Sequence, residues 1–286
     1  MPENCGEIFP RFSALAGGEQ EVDMAVFFLV SLLASAAGAI CGIGGGVIIK
    51  PVLDLFHMGS AAAISFLSGC TVLSMSCYSV GRAMLGGERQ VSVDTGTPLA
   101  LGAAAGGLLG SRLFTLVKGM SENPDAVGAV QAACLAAVTA GTLLYSLCRG
   151  RITTHRVENK PVCVVIGLAL GCLSSFLGIG GGPINLMVLS FFFSMDTKTA
   201  AANSLYIILF SQLANLTATA VTGSVPAFRP AALAVMVAGG IGGGAAGRWM
   251  NRRMDSRMVD RLFILLMAVI IAISIWNCVR YGAGGR

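Results

Sequence analysis

The chain has 286 residues, 55% of them hydrophobic and only 12% charged, with a formal net charge of +5. A soluble domain carries about a quarter charged residues, so a soluble enzyme, a nucleic-acid reader and a disulfide scaffold are excluded. Eight stretches of at least 17 residues contain no Lys, Arg, Asp or Glu: 24–49, 55–81, 95–111, 126–148, 161–195, 199–228, 230–247 and 262–279. A helix needs roughly 20 apolar residues to cross the hydrocarbon core, and these runs are continuously apolar rather than alternating like barrel strands. The sequence predicts an all-α polytopic integral membrane protein of about eight transmembrane segments.

In chain order, 1–23 is a polar tail, acidic at Glu3, Glu7, Glu19, Glu21 and Asp23, with Arg11 its only basic residue. It lacks the basic start and adjoining apolar core of a cleaved signal, so the helix over 24–41 is expected in the mature protein. That helix runs into Gly42-Ile43-Gly44-Gly45-Gly46, followed by a shorter apolar piece over 47–57. Each glycine costs about 1 kcal/mol in a helix against alanine, so a break is expected at the run. Further along, Ala103, Gly107 and Ser111, with Gly102, Gly106 and Gly110 beside them, set small residues at every fourth position. This spacing predicts close helix packing in lipid. The unit 24–150 ends in a polar link, 151–160, that carries Arg151, His155, Arg156, Glu158 and Lys160.

The unit 161–286 repeats the first. A shift of 136 positions lays Gly42–Gly46 on Gly178-Ile179-Gly180-Gly181-Gly182 and gives nine identities in fifteen positions over 42–56. The same register joins Ser68 to Ser204, Gly106-Gly107 to Gly242-Gly243, and Arg112 to Arg248. Irregular backbone at membrane depth survives only when buried in protein or lining a wet cavity. Breaks at corresponding places in two halves therefore point to a transporter binding site.

After each glycine run the restarting helix has unpaired N–H groups and about half a positive charge, and bare glycine backbone lets a ligand approach. The candidate anion cradle is Gly42, Gly44, Gly45 and Gly46 with Gly178, Gly180, Gly181 and Gly182; Pro183 fits the first helical position of the second arm. Side chains that could complete it are Lys50, Ser68, Asn203 and Ser204. Lys50 also reads as a snorkelling residue or a partner of Asp54 at i+4. Asn203, Ser204, Gln212 and Asn215 fall in an uncharged run and need partners in lipid; interhelical hydrogen bonding is the competing role. No catalytic constellation, metal-ligand spacing, nucleotide loop or cofactor motif is present, so no enzymatic activity and no cofactor is expected. Nine scattered cysteines without a Cys-x-x-Cys pair read as small apolar residues. Asp54 and His57 are the proton candidates for coupling.

These residues, 42–56, 178–192 and the Ala-Ala-Asn-Ser-Leu run ending at Leu205, resemble the TauE/SafE family of sulfite exporters over about 24–280. The resemblance implies a multi-pass permease of the bacterial cytoplasmic membrane for sulfite, sulfonates or related organic anions. The family's proline after the glycines is met by Pro51; the second copy has Met187 there and Pro183 earlier.

Two topologies fit. Eight plain crossings divide Lys and Arg ten to nine between the faces, which says nothing under the positive-inside rule. If 24–57 and 161–194 are hairpins that return to their own side, the repeats are inverted and the division is twelve to six, with Lys50 left out. The expected partners are a small anion and the lipid bilayer, not nucleic acid; homo-oligomerisation is left open. The alternatives to a permease are a thiol conduit through Cys41 and Cys172, or a non-transporting assembly partner.

Overall fold

The computed structural model describes residues 8–56, 58, 60–86, 92–120, 124–149, 152–176 and 181–283, with no strand among them. The first five helices are α1 (Ile8–Cys41), α2 (Gly46–Leu55), α3 (Ala61–Leu85), α4 (Val93–Met120) and α5 (Pro124–Cys148). The next five are α6 (Lys160–Phe176), α7 (Gly182–Phe193), α8 (Thr197–Val221), α9 (Pro230–Arg253) and α10 (Ser256–Ala283). Among the described residues, six helices are long and apolar enough to cross a membrane: parts of α1, α3, α4, α8, α9 and α10. Two further apolar helices, Lys160–Phe176 of α6 and, among the residues whose side chains are described, Ala133–Cys148 of α5, are shorter than that length.

Local sequence sets several boundaries. The Ser60 hydroxyl caps α3 by accepting from the Ala63 N–H at 3.2 Å, and the Asp196 carboxylate caps α8 by accepting from Lys198 N–H at 3.2 Å. After Cys41, Gly42 and Gly44 turn the chain at φ 72° and 67°, angles that suit glycine, before α2 starts at Gly46. Gly181, at φ 96°, precedes α7, and Pro183 is that helix's second residue rather than its first.

Both short helices double back. A Cβ on Gly45 would lie 3.1 Å from Ala34 in α1, and Leu53 near the end of α2 shares a buried cluster with Phe27 near the start of the apolar part of α1. The end of α7 likewise returns beside the chain entering α6: His155 N–H donates to the Phe191 carbonyl at 2.8 Å, and Val157 N–H to the Phe192 carbonyl at 3.0 Å.

Glycine stripes set which helices touch. Gly239, Gly243 and Gly247 of α9 face the Phe28, Leu32 and Ala36 carbonyls of α1, and an added Cβ would lie 2.9, 2.3 and 2.4 Å from those oxygens. Gly102, Gly106 and Gly110 of α4 face the Val164, Leu168 and Cys172 carbonyls of α6 at 2.2, 2.0 and 2.3 Å in the same sense. Small side chains here do the packing that small-xxx-small spacing allows. Gly240 and Gly244 of α9 meet Thr71 and Met75 of α3, while Gly107 of α4 meets Ser211 of α8. Gly69 of α3 meets Leu216 of α8, and Val72 and Ile208 both meet Gly44, so α3 and α8 run antiparallel. It follows that α1, α3 and α9 point one way and α4, α6 and α8 the other.

The 136-residue register does not hold throughout. It holds for α3 and α8, where Met75 matches Ser211, but in the packing of α4 and α9 Gly102, Gly106 and Gly110 take the places of Gly239, Gly243 and Gly247, a shift of 137. The helix starts agree: α4 begins 32 residues after α3, and α9 begins 33 after α8. An extra residue has entered the second connection, so the structural counterpart of Arg248 is Ser111, and its match with Arg112 is one of sequence only. Outside the bundle, Leu33, Leu144, Val165 and Leu265 are 60–66% exposed, a surface made for lipid rather than water.

Candidate functional site: a cation-lined cavity at the hairpin tips

The two doubled-back arms meet inside the bundle. Gly182 at the start of α7 lies so close to Ile43 that a Cβ would be 1.8 Å from the Ile43 carbonyl oxygen. Gly42 presses on Ala201 of α8, with an added Cβ 2.3 Å from the Ala201 Cα, and the buried Ser204 hydroxyl donates to the Gly42 carbonyl at 2.6 Å. Gly44 touches Val72 and Ile208, each near the middle of a 25-residue helix. The first tip therefore lies about halfway through the bundle.

From this tip a cavity of about 740 Å³ runs to the end of the bundle where α3 starts and α4 and α8 finish. Gly44, Gly46, Lys50 and Ser68 form its inner wall, while Ser111, Arg112, Thr115, Ser175, Gln212 and Asn215 line the rest. A hydrogen-bonded row ties three helices along that wall: Ser111 Oγ donates to Asn215 Oδ1, and Asn215 Nδ2 donates to Ser175 Oγ, both at 3.2 Å. No carboxylate is among the described residues lining it, and both charged side chains are cationic. The first turn of α2 adds N–H groups without intrahelical partners and the positive end of its dipole. Together they make an anion environment. A unit charge 4 Å from a guanidinium gains about 1 kcal/mol in water and about 4 kcal/mol at an effective dielectric of 20.

A second, smaller cavity of about 320 Å³ opens at the other end, where α8 starts and α3 and α9 finish, with Lys198, Arg248, Asn251 and Arg252 in its wall. Arg248 Nη1 donates to the Ser79 carbonyl at 3.1 Å, and Asn251 Nδ2 to the Ile40 carbonyl at 2.6 Å.

The structure divides the residues singled out from sequence. Gly44, Gly46, Lys50 and Ser68 line the large cavity. Gly42, Gly45 and Gly182 stand at close backbone approaches and line neither cavity. Gly181 supplies a positive-φ turn beside Ser174 and Asn185, whose buried Oγ and Oδ1 have no hydrogen-bond partner. Asn203 accepts from Ser92 N–H at 3.0 Å and donates to the Thr199 carbonyl at 2.8 Å, so it and Ser204 serve as interhelical ties. Gly178, Gly180 and His57 lie outside the described residues. Sequence reasoning missed Arg112 as a cavity residue; its signal was an arginine between Ser111 and Thr115 in an apolar helix, where only the Arg112–Arg248 match and the packing stripe through Ser111 were read.

Apolar helices folded around two central tips, with a polar cation-lined cavity reaching them, have the build of a membrane transporter. The chain belongs to the sulfite exporter TauE/SafE family, whose profile matches residues 27–274. It is thus an integral membrane protein of a family of transporters for sulfur-containing anions. No curated protein and no solved structure matches the chain.

Proposed function

We propose that this chain moves a small sulfur oxyanion, sulfite or a short sulfonate, out across the cytoplasmic membrane. The observation that carries the reading is the large cavity, lined by Lys50, Arg112 and Gly46 at the start of α2, with no carboxylate among its described lining residues. The opposed directions of α1, α3 and α9 against α4, α6 and α8 support two inverted repeats, 24–150 and 161–286, each entered by a re-entrant hairpin. The small-cavity end carries Arg149, Lys198, Arg248, Arg252 and Arg253, so the positive-inside rule makes it cytoplasmic and opens the large cavity outward. The thiol conduit is not favoured, since no described cysteine lines either cavity.

The test is flux in proteoliposomes holding the purified chain, with sulfite, sulfate, thiosulfate and methanesulfonate offered with and without a pH gradient. The reading predicts saturable movement of at least one sulfur oxyanion and none of potassium. Folded protein that moves none of the four would refute it.

A further inference from the structure

The two cavities are not independent features of the bundle. All eleven described residues lining the small cavity are repeat counterparts of residues lining the large one. At a shift of 136, Ala201 answers Ser65, Leu205 answers Gly69, and Ser79 answers Asn215; at 137 in the slipped helix, Arg248 answers Ser111. Yet the volumes are about 740 and 320 Å³, and the tips are engaged differently. Ser204 donates to the first tip at Gly42 and sits outside the small cavity, whereas its counterpart Ser68 opens onto the large one. The cations differ too: Lys198, Arg248 and Arg252 stand where the large cavity has Ala62, Ser111 and Thr115. Positive charge at both mouths therefore comes from unrelated positions, as a shared ligand would require and duplication alone would not produce.

We infer that the small cavity is the second mouth of one path, a site for the same class of sulfur oxyanion at Lys198, Arg248 and Arg252, which opens as the large cavity closes. This rests on the transport reading above. The closed mouth is held by the Gly42–Ala201 contact and the Ser204 bond; when the arms exchange roles, Ser68 takes the position that Ser204 holds here.

Reciprocal accessibility tests this. In a chain whose nine cysteines are replaced by alanine, Ser65→Cys reports the large cavity and Ala202→Cys the small one, read with an impermeant maleimide on either face of proteoliposomes. The two are expected to label from opposite faces. A bulky maleimide wedged on Ser65→Cys should slow labelling of Ala202→Cys at least tenfold. Labelling of both from one face, or no effect of the wedge, overturns the inference. A second measurement keeps all native cysteines: Arg248→Gln should raise the half-saturating sulfite concentration tenfold on the small-cavity face and less than twofold on the other. Normal flux with no sided change in Arg248→Gln overturns this inference and leaves the transport reading standing. Reciprocal labelling in a chain that moves no anion overturns the anion assignment and the transport reading with it.

Discussion

Gly46 and Gly182 match at a shift of 136 residues, each the first residue of a short returning helix, and the same substitution should affect them very differently. At Gly46 a Cβ would lie 3.1 Å from Val72 Cγ2 and 3.2 Å from Ser68 Oγ. Both neighbours are side-chain ends that can give a few tenths of an ångström. Alanine also favours helix over glycine by up to about 1 kcal/mol, so Gly46→Ala should leave stability within about 1 kcal/mol of wild type. At Gly182 a Cβ would lie 1.8 Å from the Ile43 carbonyl oxygen and 2.5 Å from its carbon. Relieving that contact requires two backbones to part by more than 1 Å, and overpacking of this kind costs about 1–3 kcal/mol or more. For a chain of this length that is roughly 2–10 °C in Tm. Thermal unfolding of purified Gly46→Ala and Gly182→Ala in one detergent compares them directly. Equal Tm values, or Gly182→Ala as stable as wild type, would refute the meeting of the two tips.

Three further outcomes follow from the geometry. Gly106→Val should abolish folding, because its Cβ would stand 2.0 Å from the Leu168 carbonyl oxygen, while Gly141→Val on α5, with nothing within 4 Å, should be neutral; monodispersity after extraction separates them. Ser204→Ala removes a buried bond to Gly42 and leaves a carbonyl unpaired, a loss of about 1–3 kcal/mol. It should favour the state with the small cavity open, raising maleimide labelling of Ala202→Cys at least about fivefold; an unchanged rate would show that the bond does not hold that mouth shut. Asn203→Leu breaks a tie between α8 and the start of α4 without touching either cavity, so Tm should fall while the half-saturating sulfite concentration stays within twofold. A selective rise in that concentration would instead make Asn203 a substrate contact.

How much of this was legible in the sequence can be judged residue by residue. Charge-free runs marked the helices because lipid excludes charge, and the small-residue stripe of α4 marked a close helix seam, though not its partner α6, because only a missing Cβ admits such an approach. Lys50 and Ser68 were found because polar groups in apolar runs must answer to something. The division of labour among the glycines was not legible. Gly44 and Gly46 border the cavity while Gly42 and Gly182 are buried against backbone, and sequence treats all four alike. Identity also misled at Arg112 and Arg248, since an ungapped match hid the extra residue ahead of α9. Arg112 therefore looked like half of a repeated pair, when the structure makes it one of the two cations lining the large cavity, with Lys50 the other. Which polar residues of α8 reach the large cavity depends on position along its axis as well as on face: Ser204 and Asn215, about three turns apart on one side, bond to Gly42 at the first tip and to the cavity-lining Ser111 and Ser175 respectively.

The central claim is that Arg112 and the first tip hold a sulfur oxyanion on its way across the membrane. Initial rates of sulfite flux against concentration, in proteoliposomes of wild type and of Arg112→Gln, test it most directly. Loss of one favourable charge contact of about 1–3 kcal/mol should raise the half-saturating concentration between about fivefold and a hundredfold, with Tm unchanged because Arg112 is solvent-exposed at the cavity mouth. Saturable flux with the same half-saturation in both proteins would contradict the account.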